Sequence, residues 1–138
     1  MAKTVVIAAY LSLAAADWSD RINSAELAVQ MEEKDVTTFG SGGAKEVLGG
    51  LESGTLKIKW KNDFADSGVD DVMWAHMKTR TPIAFEVRPS NAAASANNPK
   101  YTGYVLVNSW TPIGAAVGDP AEVETSWPLS GATTRAEA

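Results

Sequence analysis

The chain has 138 residues, a formal charge of −5 at pH 7 and no cysteine, with 45% hydrophobic and 21% charged residues. That composition excludes a wholly disordered chain, a disulfide scaffold and a thiolate zinc site, and the length suits one domain, 1–138, with a core of its own. The acidic balance, without a basic cluster, argues against a protein that grips nucleic acid.

Residues 5–16 form an apolar run behind Lys3 that ends in three alanines. This has the outline of a secretory signal peptide. Tyr10 and Ser12 interrupt the run, and β-branched residues at its start favour a first strand over residues 4–14. The run falls short of the ~20 residues a membrane helix needs. Residues 17–20 carry turn chemistry. From Ile22 a second strand alternates Leu27, Val29 and Met31 with Glu26, Ala28, Gln30 and Glu32, so one face is buried and one wet.

Between residues 33 and 53 the period dissolves, and Gly40, Gly42, Gly43, Gly49 and Gly50 crowd the segment. This predicts a long loop with one helical turn over residues 44–48. Loops of that length in compact domains are usually functional, and a disordered insertion is the bland alternative. Residues 54–64 form the clearest strand. Leu56, Ile58 and Trp60 point one way and Lys57, Lys59 and Lys61 the other. The acidic row Glu26, Gln30, Glu32 is the expected partner of the lysines, since opposite charges across strands contribute about 0.2–1 kcal/mol per pair. Lysines also guard an exposed sheet edge.

One helix is expected over residues 67–79. Ser67 suits the N-cap, Asp70 and Asp71 the positive end of the dipole, and Lys78 and Arg80 the other end. Val69, Val72, Met73, His76 and Met77 make its apolar face, and Pro82 ends it. Further strands are expected over residues 83–88, 101–110 and 123–127. They are separated by an Ala/Ser/Asn-rich loop (90–100) and a turn-rich stretch (112–120). Residues 130–138 lack a core pattern and are expected to form a tail that is mobile in the free subunit. The fold class is mainly β: an antiparallel sandwich or small barrel with one flanking helix.

No constellation supports catalysis. His76 lies alone on an apolar helix face, and a metal needs three or four donors. Glu32 and Glu33 point to opposite faces of a strand, and Asp70 and Asp71 are explained by helix capping. No G-x-S-x-G elbow occurs, and the glycine run at residues 40–45 lacks the G-x-x-x-x-G-K-[ST] spacing of a phosphate loop. The chain is therefore read as a non-enzyme without metal or cofactor, whose function lies in surfaces that meet other molecules.

The order of short motifs supplies a candidate. Thr37-Thr38-Phe39-Gly40 is followed by Gly50-Leu51-x-x-Gly54-Thr55-Leu56, then by Asp63-Phe64-Ala65 before Val69-Asp70-x-x-x-Trp74. Val87-Arg88-Pro89, Asn98-Pro99-x-Tyr101-x-Gly103 and Thr111-Pro112-x-Gly114-x-x-Val117-Gly118-Asp119 come next. Trp127-Pro128-x-x-Gly131 and Thr134-Arg135 close the series. In this order the chain resembles the tail tube (major tail) proteins of phages with long, non-contractile tails. The resemblance implies a β-sandwich with a flanking helix. Six subunits would form a ring whose strands join into an inner barrel, and rings would stack into a tube. Genomic DNA passes through such a tube during ejection without specific binding. The protein would assemble in the host cytoplasm and reside in the virion tail. Its partners would be further copies of itself and the tape measure, tail terminator and distal tail proteins, with no membrane.

Two sets of contact residues are expected on that reading. Phe39, Gly40, Gly42 and Gly43 belong to the glycine-rich segment, which in this family reaches a neighbouring subunit or ring. Lys57, Lys59 and Lys61, with Glu26 and Glu32, offer charge pairs at subunit boundaries. A lysine row would be odd lining a DNA channel, so it is expected elsewhere or paired with acids. A carbohydrate-binding β-sandwich is the alternative. Five tryptophans and three tyrosines would suit sugar stacking, with Trp18 and Trp110 in or beside turns. Against that, Trp60, Trp74 and Trp127 read as core or interface anchors. An enzyme with a carboxylate pair drawn from distant strands is a third possibility.

Overall fold

A computed structural model describes residues 9–113 and 117–137. In chain order these form β1 (Tyr10–Leu13), β2 (Ala16–Asp17), β3 (Ile22–Asp35), β4 (Val47–Lys61), α1 (Val69–Thr79), β5 (Ile83–Arg88), β6 (Lys100–Val105) and β7 (Glu122–Ala136). The strands join in the order β2-β1-β5-β6-β7-β4-β3, with every pairing antiparallel. This is the mainly β, one-helix architecture that the alternation predicts.

The two layers share β7. Its first half pairs with β4, from Lys61↔Glu122 to Thr55↔Pro128. Its second half pairs with β6, from Val105↔Leu129 to Lys100↔Ala136. The strand changes layers at Pro128, which has no N–H to give to a ladder. A strand that bends from one sheet to the other makes a sandwich corner.

One apolar cluster fills the space between the layers. It draws Leu11 and Leu13 from β1, Phe85 from β5, Val105 from β6, Leu56 and Ile58 from β4, and Val69 and Met73 from α1. Trp60 sits at its centre. Trp18, Trp110 and Trp127 surround it, with ring centroids at 6.3, 6.1 and 6.1 Å. Three of the indoles also satisfy their polar edge, as buried tryptophans usually do, whereas Trp18 Nε1 has no partner among the described residues. Trp60 Nε1 donates to Thr125 Oγ1 at 3.0 Å, Trp110 Nε1 to Asp70 Oδ1 at 3.0 Å, and Trp127 Nε1 to the Ser109 carbonyl at 2.9 Å. Trp18 and Trp110 are therefore core residues, 4% and 7% exposed, and not the sugar platforms that their turn positions suggested.

Several expectations are corrected. The segment 33–53 is not a long loop: β3 runs to Asp35 and β4 starts at Val47, so only residues 36–46 connect them. The expected helical turn at 44–48 is instead the entry to β4. Residues 130–136 are not a tail but the second half of β7, held by its ladder with β6. The strand expected over 101–110 stops at Val105. Helix α1 begins at Val69 with Gly68 as its N-cap, because Ser67 sits at φ 59°, where its N–H meets Asp71 Oδ2 at 3.1 Å. Of the apolar run at 5–16, residues 10–13 form β1, with Leu11 and Leu13 fully buried, while residues 1–8 lie outside the described residues. The turn expected at 112–120 lies partly outside them too, at 114–116.

Candidate assembly site

The β3–β4 pairing outlasts the sheet. Where β4 loses β7, at Thr55, β3 and β4 continue together to Asp35↔Val47. From about Ala28 outward, the two strands are therefore a ribbon with no other strand beside it among the described residues. Seven to eight residues at ~3.3 Å each make it about 25 Å long. An isolated two-stranded hairpin is marginal in water, so such a ribbon needs anchoring or partners. Its root is anchored. The Thr133 N–H donates to Glu52 Oε1 at 3.3 Å. At Gly54 a Cβ would stand 2.4 Å from the Ala28 carbonyl and 2.9 Å from Leu129 Cδ1, so only glycine lets the ribbon pass this close to the β7 bend.

Beyond the root the ribbon is exposed and carries large apolar side chains among its charged ones. Met31, Leu48 and Leu51 are 63%, 62% and 73% accessible, and Val29, Val36 and Val47 are also exposed. So many exposed large apolar side chains on one element are what a surface that meets another molecule presents. A register shift between Met31↔Glu52 and Glu33↔Gly49 sets Gly50 and Leu51 against Glu32 and twists the ribbon.

The tip is ordered by its own hydrogen bonds. Thr37 Oγ1 accepts from the Glu46 N–H at 2.8 Å and donates to the Glu46 carbonyl at 3.2 Å. The Thr37 N–H donates to Asp35 Oδ1 at 2.9 Å, which holds the Asp35 carboxyl below the usual carboxylate range. Phe39–Ser41 form a 3-10 turn, closed by the Thr38 N–H on Ser41 Oγ at 3.1 Å. Gly42 and Gly43 follow at φ 67° and 85°, conformations that L side chains adopt only with strain. Phe39 is left fully exposed at the apex. The structure thus brings Phe39, Gly40, Gly42 and Gly43 together at one tip.

The lysine row lies at the other end of β4, on the wet face that its alternation predicts. Its partners differ from the expected ones. Glu26 does stand opposite Lys57. Glu32, six residues farther along β3, lies out on the ribbon and pairs with Lys34 at 3.2 Å. The remaining acids come from β7, which sequence reading missed: Glu124 faces Lys59 in register, and Glu122 forms an ion pair with Lys61. That contact holds the Glu122 carboxyl below its usual range. The signal for these acids was the alternation of Glu122 and Glu124 with Val123 and Thr125. Three lysines and three glutamates within one chain make this face neutral.

Among the described residues, no three side chains capable of binding a metal come together. His76 is half-buried, and burial pushes its pKa down. No described helix is long and apolar enough to cross a membrane.

No protein-family model matches the sequence, and no curated protein matches it. Solved structures do. A chain of the virion of a native gene transfer agent particle superposes with a TM-score of 0.72, covering 93% of this chain and 95% of that one at 17% identity. A chain from the tail of an empty gene transfer agent particle, computed with helical refinement and C6 symmetry, gives a TM-score of 0.63 at 18% identity, covering 83% and 81%. At these identities the likeness is one of fold.

Proposed function

We propose that this chain is the structural subunit of a phage-type tail tube. Copies close into six-membered rings, the rings stack, and the hollow polymer conducts DNA during ejection. The observation that carries this reading is the arm: an ordered β-ribbon that projects past the core and, among the described residues, leaves Met31, Leu48, Leu51 and Phe39 exposed. A surface of that kind fits a protein that completes itself by joining copies. The fold shared with chains of a virion and of a six-fold tail supports it. So does the motif order described above.

On this reading the protein is not an enzyme and uses no cofactor. It resides in the virion tail, with tape measure, terminator and distal tail proteins as its other partners. A closed ring multiplies the −5 charge of each subunit, and the lysine row is neutralised within its own chain, so the tube passes DNA without holding it. Sedimentation of the purified protein over a hundredfold range of concentration tests the proposal. Rings or long polymers growing with concentration are expected, whereas a monomer at every concentration would refute it.

A further inference from the structure

At β1 the sheet ends against a short cover rather than a full strand. Alternate residues of an antiparallel strand turn both N–H and C=O to the same side, and in β1 Leu11 and Leu13 turn theirs away from β5. The strand β2 pairs with only two residues of β1, as Leu13↔Ala16 and Ser12↔Asp17. Past it, the Trp18 N–H donates to the Leu11 carbonyl at 2.9 Å, and the Leu11 N–H donates to Ser19 Oγ at 2.9 Å. Asp17 fixes that serine: its Oδ1 accepts from the Ser19 hydroxyl at 2.6 Å and from the Ser19 N–H at 2.9 Å. A hydroxyl thus stands where an added strand would bring a carbonyl.

We propose that residues 14–19 are a fixed guard on this edge, which keeps a second copy of this chain from adding a strand at β1. The inference rests on the tube reading for its purpose alone: a chain that polymerises must close the edges where copies would join wrongly. Three observations carry it. The cover reaches both outward-facing residues of β1, Leu13 through β2 and Leu11 through Trp18 and Ser19. The cover is also pinned. Trp18 is 4% exposed and edge-on to Trp60, with the Arg21 guanidinium 5.4 Å over its ring and 3.6 Å from Asp63 Oδ2. Lifting the cover would draw that indole out of the core. Finally, the cover is held against strain. The turn from β1 to β2 places Ala14 and Ala15 at φ 51° and 67°, where Asn-Gly is the comfortable pair. Such strain persists only where the surroundings enforce it, and the burial of Trp18 does so.

Two readouts use the free subunit. Ser19→Ala removes the acceptor of the Leu11 N–H and leaves the core intact, whereas Ser19→Thr keeps a hydroxyl. In hydrogen exchange, the Leu11 amide is expected to exchange at least about tenfold faster in Ser19→Ala than in wild type, with the Leu13 amide unchanged as the internal reference. In light scattering, Ser19→Ala and Asp17→Ala are expected to aggregate at a concentration at least about threefold lower than wild type, and Ser19→Thr at the wild-type one. Electron microscopy should show those aggregates to be irregular, without tubes. A third readout uses the polymer. Ala14→Asn combined with Ala15→Gly relieves the turn and is expected to raise the melting temperature while polymer grows as in wild type. A Leu11 amide that exchanges at the wild-type rate in Ser19→Ala, or one that exchanges faster with no added association, would overturn the guard. A relieved turn that slows polymer growth would show that the cover must open on assembly, and would overturn it too. Wild-type protein that never polymerises would refute the tube reading, and the exchange and scattering results would still decide the guard.

Discussion

Replacing residues 36–46 by Asn-Gly separates folding from assembly. Asp35↔Val47 is the last registered pair of the ribbon, so a two-residue turn closes it without moving either strand. The fold loses no core side chain, because every residue removed lies outside the buried cluster. It loses the Thr37–Glu46, Asp35–Thr37 and Val36–Glu46 hydrogen bonds and the Glu33–Lys45 ion pair, all exposed and so worth about 0.5 kcal/mol or less each. Shortening the loop about fivefold offsets this by about 1.5 kcal/mol of closure entropy. The two effects nearly cancel, so the melting temperature is expected to shift by no more than about 5 °C. Assembly is expected to vanish, since Phe39 and its ordered turn are gone. The assays are thermal denaturation by circular dichroism and pelleting of polymer from the same preparation. A variant that still pellets like wild type would refute the assignment of the tip to assembly. One that melts far lower would show that the tip supports the fold.

Three further outcomes are expected. Lys59→Glu places a carboxylate opposite Glu124 within the same chain, so it should cost about 0.2–1 kcal/mol of monomer stability in urea titrations and leave the polymer fraction of folded protein unchanged at any salt concentration. The Glu122 pKa is lowered by Lys61, so its contribution to stability is present above the unfolded pKa and is lost as the pH falls through the folded one. Glu122→Gln should therefore flatten the loss of stability seen below about pH 4.5 in acid titrations. Trp60→Ala empties the centre of the tryptophan cluster and should cost about 3–5 kcal/mol, read as a lower denaturant midpoint with collapse of the near-ultraviolet circular dichroism signal.

The parts of the fold legible in the sequence were those where burial stamps a period on the residues. Leu56, Ile58 and Trp60 against three lysines gave β4, and Val69, Met73 and Met77 gave α1. The arm and the end of β7 were illegible for one shared reason. Both faces of residues 32–35, 47–53 and 130–136 are largely open to solvent, so no side-chain alternation records the strand, and the backbone ladder carries it. Glycines at 49 and 50 then read as loop, whereas Gly49 pairs with Glu33 in the ladder and Gly50 falls in its register shift. The partners of Lys59 and Lys61 were hidden because β7 pairs with β4 from about sixty residues away, a long-range contact that no local pattern reports. Trp18 and Trp110 were open to misreading because turn residues are normally exposed, whereas here they flank Trp60 within the core. At the candidate site, the glycine-rich character of the tip was visible. What the sequence did not reveal was that a ribbon carries it clear of the domain.

The central claim is that copies of this chain build a hollow six-fold tube. Electron microscopy of the concentrated, purified protein tests it most directly. Stacked rings with a continuous central channel and six subunits per ring are the predicted result. Monomers, solid filaments or closed shells without a channel would contradict the account.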